Sequence, residues 1–138
     1  MPKSSRLTVK PLNAWNFSKL KPHEAQIEDY EPTRALFKDG YPPHQAMFYD
    51  GRKSILACGL IDMGDGQYYI WSLFSKNIKP MHYRFIVKYL NNYISLLKTT
   101  SIHHIIRKDM PWTRHMITFM GFRYVRDESE FLEHWIRI

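Results

Sequence analysis

Lys76, Asn77, Lys79, His82 and Arg84 crowd the short stretch between an apolar run ending at Phe74 and an amphipathic run beginning at Met81. Side chains of these types hold phosphate oxygens as hydrogen-bond donors and, when charged, as point charges. The turn itself, Ser75-Lys76-Asn77-Ile78-Lys79-Pro80, has no glycine. Bare backbone amides at a helix start are the usual phosphate cradle, so here the task would fall to side chains. Those same side chains would also take up space where a phosphate would lie. A solvated basic loop is the plainer reading of the same residues.

Other chemistry is sparse. Asp62 and Asp65 flank Gly64 and could present a base, but Asp is also favoured in turns for its local hydrogen bonds. Tyr68 to Phe74 contains no carboxylate. His103, His104 and His115 raise the question of a metal, yet adjacent residues in a strand point to opposite faces and cannot chelate together. No metal is expected. No Ser-His-Asp or Cys-His spacing is recognisable. Cys58, the single cysteine, sits in the apolar run Ile55-Leu56-Ala57-Cys58 and reads as a small core residue. Arg107, Lys108, Arg114, Arg123 and Arg126, with Trp112 and Tyr124 interleaved, could bind nucleic acid weakly and without sequence preference. Aromatic residues so placed more often belong to a core.

Composition sets the frame. A chain of 138 residues with 44% hydrophobic and 15% aromatic content fits one ordered domain, residues 1–138. The net charge of +7, 20 basic against 13 acidic residues, favours anionic partners. No apolar run approaches the roughly 18 residues of a membrane span. The basic start, Met1 to Arg6, is followed by no apolar signal core. The expectation is a soluble protein made in a cytoplasm.

Arg6 to Lys10 alternates polar and apolar residues, and Pro11 closes it, as in a first strand. Phe17 to Tyr30 is helix-permissive, with Pro22 breaking or starting the helix. A shorter helical piece lies at Thr33 to Lys38. Strands follow at Gln45 to Tyr49, Ser54 to Met63 and Tyr68 to Phe74, with turns at Asp50-Gly51 and Gly64-Asp65-Gly66. Tyr68 to Phe74 is apolar on both faces, as in a central strand. Met81 to Lys98 is the clearest helix, with Phe85, Ile86, Tyr89, Leu90, Tyr93, Ile94 and Leu97 on one stripe. Ile102 to Arg107 is a strand. Asp109 would cap the next helix, whose apolar side is Trp112, Met116, Phe119 and Met120, with Gly121 ending it. Phe122 to Arg126 and Phe131 to Ile138 read as a terminal antiparallel pair. The last strand is either covered by its own sheet or leaves an edge on which another chain can add.

The order is thus strand, two helices, three strands, helix, strand, helix, two strands. It resembles the GCN5-related N-acetyltransferase (GNAT) superfamily over nearly the whole chain. The most specific match is Met110 to Val125. The family often ends its last helix with Asn, an alanine three on, a tyrosine seven on, then Leu-Gly-Phe and a strand. Phe119-Met120-Gly121-Phe122-Arg123-Tyr124-Val125 keeps the Gly-Phe exit, while Met110 and Ile117 replace the asparagine and the tyrosine. The chain also resembles the small GNAT-like internal virion proteins of short-tailed bacteriophages. That likeness rests on Ile70-Trp71-Ser72, Lys79 with Phe85, Tyr89 with Leu90, and His115 to Gly121.

The first resemblance implies a GNAT-like α/β fold, a mixed central sheet of about six to seven strands flanked by helices. Where that family is active, a Q/R-x-x-G-x-G/A turn holds the pyrophosphate of acetyl-CoA, and a strand amide stabilises the oxyanion. The glycine-free turn and the missing tyrosine lead to a phage protein without acetyl-CoA chemistry. It would act in virion structure, assembly or DNA ejection through other virion or assembly proteins, in the host cytoplasm and the virion. No cofactor is expected on this reading. The alternative is a divergent, active acetyl-CoA-dependent N-acetyltransferase. It would hold the cofactor with Leu73, Ser75, Lys76, Lys79, His82 and Arg84, and Asp62 and Tyr124 would be weak catalytic candidates. A second alternative is a small basic module binding DNA or a host protein.

Overall fold

The computed structural model describes residues 7–138. Its elements, in chain order, are β1 (Thr8–Pro11), α1 (Ala14–Ser18), a 3-10 turn (Glu24–Asp29), α2 (Tyr30–Ala35), β2 (Gln45–Asp50), β3 (Lys53–Gly64), β4 (Gln67–Phe74), α3 (Pro80–Ser95), β5 (Ser101–Arg107), α4 (Pro111–Phe119), β6 (Arg123–Asp127) and β7 (Leu132–Arg137). The strands form one mixed sheet in the order β1-β2-β3-β4-β5-β7-β6. β4 and β5 run parallel, which α3 permits by crossing between them. β1–β2, β2–β3, β5–β7 and β6–β7 are antiparallel. The chain forms two compact units, residues 7–59 with 72–82, and Leu60–Trp71 with Tyr83–Ile138. No helix among the described residues is long and apolar enough to cross a membrane.

In the first unit the hairpin from β2 to β3 turns at Gly51, whose φ of +61° suits glycine. α1 is fixed at its start by a reciprocal cap. Asn13 Oδ1 accepts the Asn16 amide at 2.8 Å, and Asn16 Oδ1 accepts the Asn13 amide at 2.9 Å. The helix-permissive segment from Phe17 to Tyr30 is divided around Pro22, the residue expected to break or start the helix. α1 stops at Ser18, Pro22 lies in an extended stretch bridged to Ser75, and helix resumes only at Glu24. Proline has no amide hydrogen to continue a helical ladder. Phe17 is buried and meets Tyr30 and Phe37 edge-on at 5.2 and 6.4 Å. The expected first strand begins at Thr8, and its Arg6 lies outside the described residues.

The second unit has its own core of Leu60, Ile70, Ile94, Ile102, Ile106, Ile117, Met120 and Phe122. Val87, Leu90 and Tyr93 of α3, and Leu97 just beyond its end, pack against it, as the helical stripe requires. Phe85, Tyr89 and Tyr93 stack along the helix at 6.2 and 6.4 Å. α4 begins differently from the sequence expectation. Met110 is its N-cap and makes no side-chain cap bond, while Asp109 pairs with Arg107. Phe119 is 79% exposed, and Thr113 and Ile117 are buried instead. Trp112 stacks on Tyr83 at 5.4 Å. Gly121 takes φ +86° at the helix exit, as its place demands.

The last strand is not an edge. β7 lies between β5 and β6, with partners on both sides. The edge is β6, fully exposed and carrying Arg123 and Arg126 beside an irregularity at Tyr124/Arg126, features that discourage further pairing. The basic residues considered for nucleic acid are largely matched by acids. Arg107 meets Asp109, Lys108 meets Asp127, Arg114 meets Glu133 and Arg126 meets Glu128. Arg114 grips Glu133 through two bonds, at 3.0 and 2.6 Å, and holds Glu133 below the usual carboxylate range.

His103 and His104 do point to opposite faces. His104 lies in the core edge-on to Phe122 at 6.0 Å, and burial pulls its pKa down to about 4. A histidine kept neutral when folded binds fewer protons than the same residue unfolded, so stability falls as pH drops from the ordinary value of 6.5 toward 4. The loss expected over that window is on the order of 3 kcal/mol. Urea unfolding at a series of pH values should show this slope, and His104→Phe should flatten it. An unchanged slope in that variant would assign the acid sensitivity elsewhere.

Candidate functional site

The ladder between β4 and β5 runs from Gln67↔Ser101 to Ile70↔His104 and ends there. β4 itself continues to Phe74. In an extended strand, alternate residues turn their polar groups to the same edge. The Ser75 amide donates to Ile55 O of β3 at 2.9 Å, so Ser72 and Phe74 face the other edge. Within the first unit these groups are met by the extended stretch before the 3-10 turn and by Gln26 inside that turn. Gln26 Nε2 donates to Ser72 O at 3.0 Å, and the Phe74 amide donates to Gln26 Oε1 at 2.7 Å. The His23 amide donates to Phe74 O at 2.7 Å, and the Lys76 amide to Lys21 O at 2.9 Å. One carboxamide thus gives and receives as a strand residue would.

The turn from β4 to α3 is closed on itself. The Asn77 amide bonds Ser75 Oγ at 3.0 Å, and the Ile78 amide bonds Ser75 O at 3.1 Å. The Lys79 amide bonds His82 Nδ1 at 3.0 Å. With Lys76 held by Lys21, every amide from Lys76 to Lys79 has an acceptor within the protein, and Pro80 has none to offer. That is the structural counterpart of the missing glycines. A phosphate here would meet side chains, not a backbone nest.

The sequence candidates fall into distinct places. Lys76 and Lys79 are exposed on this turn, and Arg84 is exposed on α3. His82 is 2% exposed. Its Nδ1 accepts the Lys79 amide, so Nε2 carries the proton and donates to Asp50 Oδ2 at 2.9 Å. Both ring nitrogens are engaged, which leaves none for a phosphate. Ser75 is buried and its Oγ accepts the Asn77 amide, while the Leu73 side chain is buried in the core. Asp62 Oδ1 accepts the Gly64 amide at 2.8 Å, a local turn bond. Tyr124 is half exposed on β6 and donates its hydroxyl to Asp127 Oδ1 at 2.8 Å, a bond that raises the phenol above its ordinary pKa. Gln26 was not a sequence candidate. Nothing in a helix-permissive segment marks one polar residue as a partner for a strand some 46 positions away.

No family model matches the chain, and no curated protein matches it. Solved structures do. The ribosomal-protein-S18-alanine N-acetyltransferase from Escherichia coli is 7% identical with a TM-score of 0.72, over 96% of this chain and 93% of its own. A GCN5-related N-acetyltransferase from Kribbella flavida is 12% identical with a TM-score of 0.70, over 95% and 96%. The N-acetyltransferase PseH of Campylobacter jejuni, in complex with acetyl coenzyme A, is 11% identical with a TM-score of 0.57, over 95% and 97%. The chain has the GCN5-related N-acetyltransferase fold. The GNAT-like α/β architecture expected from the sequence is therefore present. The expected virion role without acetyl-CoA chemistry is overturned. The neighbours are N-acetyltransferases, none speaks for a phage protein, and they favour the alternative. The expectation that no cofactor is used loses its support in the same way.

The β4 edge gives a direct prediction. Gln26→Ala removes the acceptor of the Phe74 amide and the donor to Ser72 O. Loss of a partner for a buried polar group costs about 1–3 kcal/mol. Gln26→Glu keeps an acceptor but sets carboxylate oxygen against a carbonyl, and should also destabilise. Urea unfolding measures both. Wild-type stability in Gln26→Ala would show that this contact does not hold the edge.

Proposed function

We propose that the chain is an acetyl-CoA-dependent N-acetyltransferase that passes an acetyl group to an amine. The observation that carries the reading is the fold likeness, which extends over nearly the full length of N-acetyltransferase structures, one of them holding acetyl coenzyme A.

The residues present fit the donor in part. Its pyrophosphate would be neutralised by Lys76 and Lys79, since the amides of the turn are already bonded. Its pantetheine arm is an extended chain bearing amides, and such chains bind by adding to a strand edge. Ser72 O and the Phe74 amide are such an edge, held by Gln26. Gln26 has to yield these two groups for the arm to take them. Cys58 is buried, and burial pushes its thiol up to about 12, which removes it as an acyl-carrying nucleophile. Transfer is then direct, from thioester to amine.

Calorimetry with acetyl-CoA tests the reading first. Binding should weaken as salt rises, because the gripping charges are exposed. Lys76→Ala with Lys79→Ala should weaken it by roughly 30-fold, at about 1 kcal/mol for each exposed charge contact. Thiol release should then depend on an added amine. No binding at millimolar acetyl-CoA, or binding indifferent to both lysines, would contradict the proposal.

A further inference from the structure

The first unit gathers four cations at one end. Arg52 and Lys53 stand where the β2–β3 hairpin turns, Lys76 and Lys79 stand on the turn from β4 to α3, and all four are exposed. Three contacts tie the hairpin to that turn. The Ser75 amide donates to Ile55 O at 2.9 Å, and Asn77 Nδ2 reaches Ser54 O at 3.4 Å. His82 Nε2 donates to Asp50 Oδ2 at 2.9 Å, while its Nδ1 accepts the Lys79 amide. Asp50 and Lys53 are directly opposed in the β2–β3 ladder. Opposed residues turn their side chains to the same face, so Lys53 shares the face that Asp50 turns toward His82. Lys53 adjoins Ser54 and Lys76 adjoins Asn77, so the contact between Ser54 and Asn77 brings the two lysines' backbones together.

These charges are not matched within the protein. None of the four has an acid partner among the described residues, whereas Arg107, Lys108, Arg114 and Arg126 of the second unit each have one. The carboxylate they do adjoin, Asp50, is engaged by His82. Unpaired cations so gathered make a local positive field that favours a polyanion. We propose that the hairpin is a second phosphate subsite of the donor site, in which Arg52 and Lys53 take the 3′-phosphate of acetyl-CoA while Lys76 and Lys79 take its pyrophosphate. The inference rests on the acetyl-transfer reading above. It adds the donor that the chain prefers, a CoA thioester over the same thioester lacking the 3′-phosphate.

The chemistry of the donor matches this arrangement. In CoA the 3′-phosphate is a monoester on the ribose that also carries the pyrophosphate, so the two anionic groups stand one sugar apart. A site for both needs two neighbouring sets of cations, which the hairpin and the turn supply. A phosphate monoester carries about two negative charges at pH 7, and the hairpin offers two positive ones. Arg52 brings a planar fork that meets two phosphate oxygens at once, and Lys53 brings a point charge on a flexible stem. Both stand on a defined support. Gly51 takes the positive φ of +61° at the hairpin tip, and Ser54 just behind Lys53 is buried.

Calorimetry on the full chain tests this with acetyl-CoA and acetyl-dephospho-CoA, which differ only in the 3′-phosphate. The parent should bind acetyl-CoA roughly 10- to 30-fold more tightly, as two exposed charge contacts allow. In Arg52→Gln with Lys53→Gln that preference should fall to near parity, because acetyl-CoA weakens while acetyl-dephospho-CoA holds its affinity. Lys76→Ala with Lys79→Ala should instead weaken both donors alike. A second readout needs no variant: the Arg52 Nε–H resonance should move on saturation with acetyl-CoA and stay in place with acetyl-dephospho-CoA. A parent indifferent to the 3′-phosphate, an unmoved Arg52 resonance, or a hairpin variant that weakens both donors equally would overturn the subsite and leave acetyl transfer standing. Failure of the parent to bind either donor would sink the acetyl-transfer reading and the subsite with it.

Discussion

The outward edge of β4 is the constraint on which the candidate site depends. Past Ile70 the strand loses β5 but keeps its backbone donors and acceptors. Groups of this kind must find partners when they leave water. Here the stretch from Lys21 to Gln26 supplies them, two through the backbone and two through one side-chain amide. Pro22 keeps that stretch out of a helix and lets it run beside Ser75. The division of the first helical region is thus tied to the state of the strand edge. A carboxamide is well suited to the task because it offers a donor and an acceptor together, as a peptide group does.

The adjoining turn shows how the same problem is solved without glycine. His82 is the central piece. It caps the Lys79 amide with one nitrogen and ties back to Asp50 with the other. Its burial follows from that double use, because a half-satisfied buried imidazole would be costly. The consequence for binding is a change of means. Backbone amides give a phosphate a fixed cradle, whereas Lys76 and Lys79 would give it charge on flexible stems. Such a grip is more sensitive to salt and less exacting in geometry.

Most of the architecture was legible in the sequence. The stripe from Phe85 to Leu97, the turns at Gly51 and Gly121, and the two-faced apolar strand ending at Phe74 each follow from local patterns. What escaped was decided by contacts distant in sequence. Asp109 has the type of a cap residue but is taken by Arg107. Phe119 fits a helical apolar stripe but faces outward, because Ile117 and Met120 already fill the core side. The final strand reads as a hairpin partner of Phe122 to Arg126, and no local signal says that it also enters beside β5. At the site, the exposed lysines were legible from their type. The roles of His82 and Gln26 were not, since each depends on a partner between 32 and 48 residues away. The function inferred from the glycine-free turn failed for a related reason. Absence of a backbone cradle says how a donor is held, not whether one is held.

The central claim is that a donor binds along β4 by taking the groups now held by Gln26. Backbone and side-chain amide spectra recorded during an acetyl-CoA titration test it most directly. The account predicts that the Gln26 side-chain NH₂ and the Phe74 amide shift together with saturation, while Lys79 reports the phosphate end. Binding that perturbs Lys76 and Lys79 but leaves Gln26 and Phe74 unmoved would contradict it, and would place the donor off the strand edge.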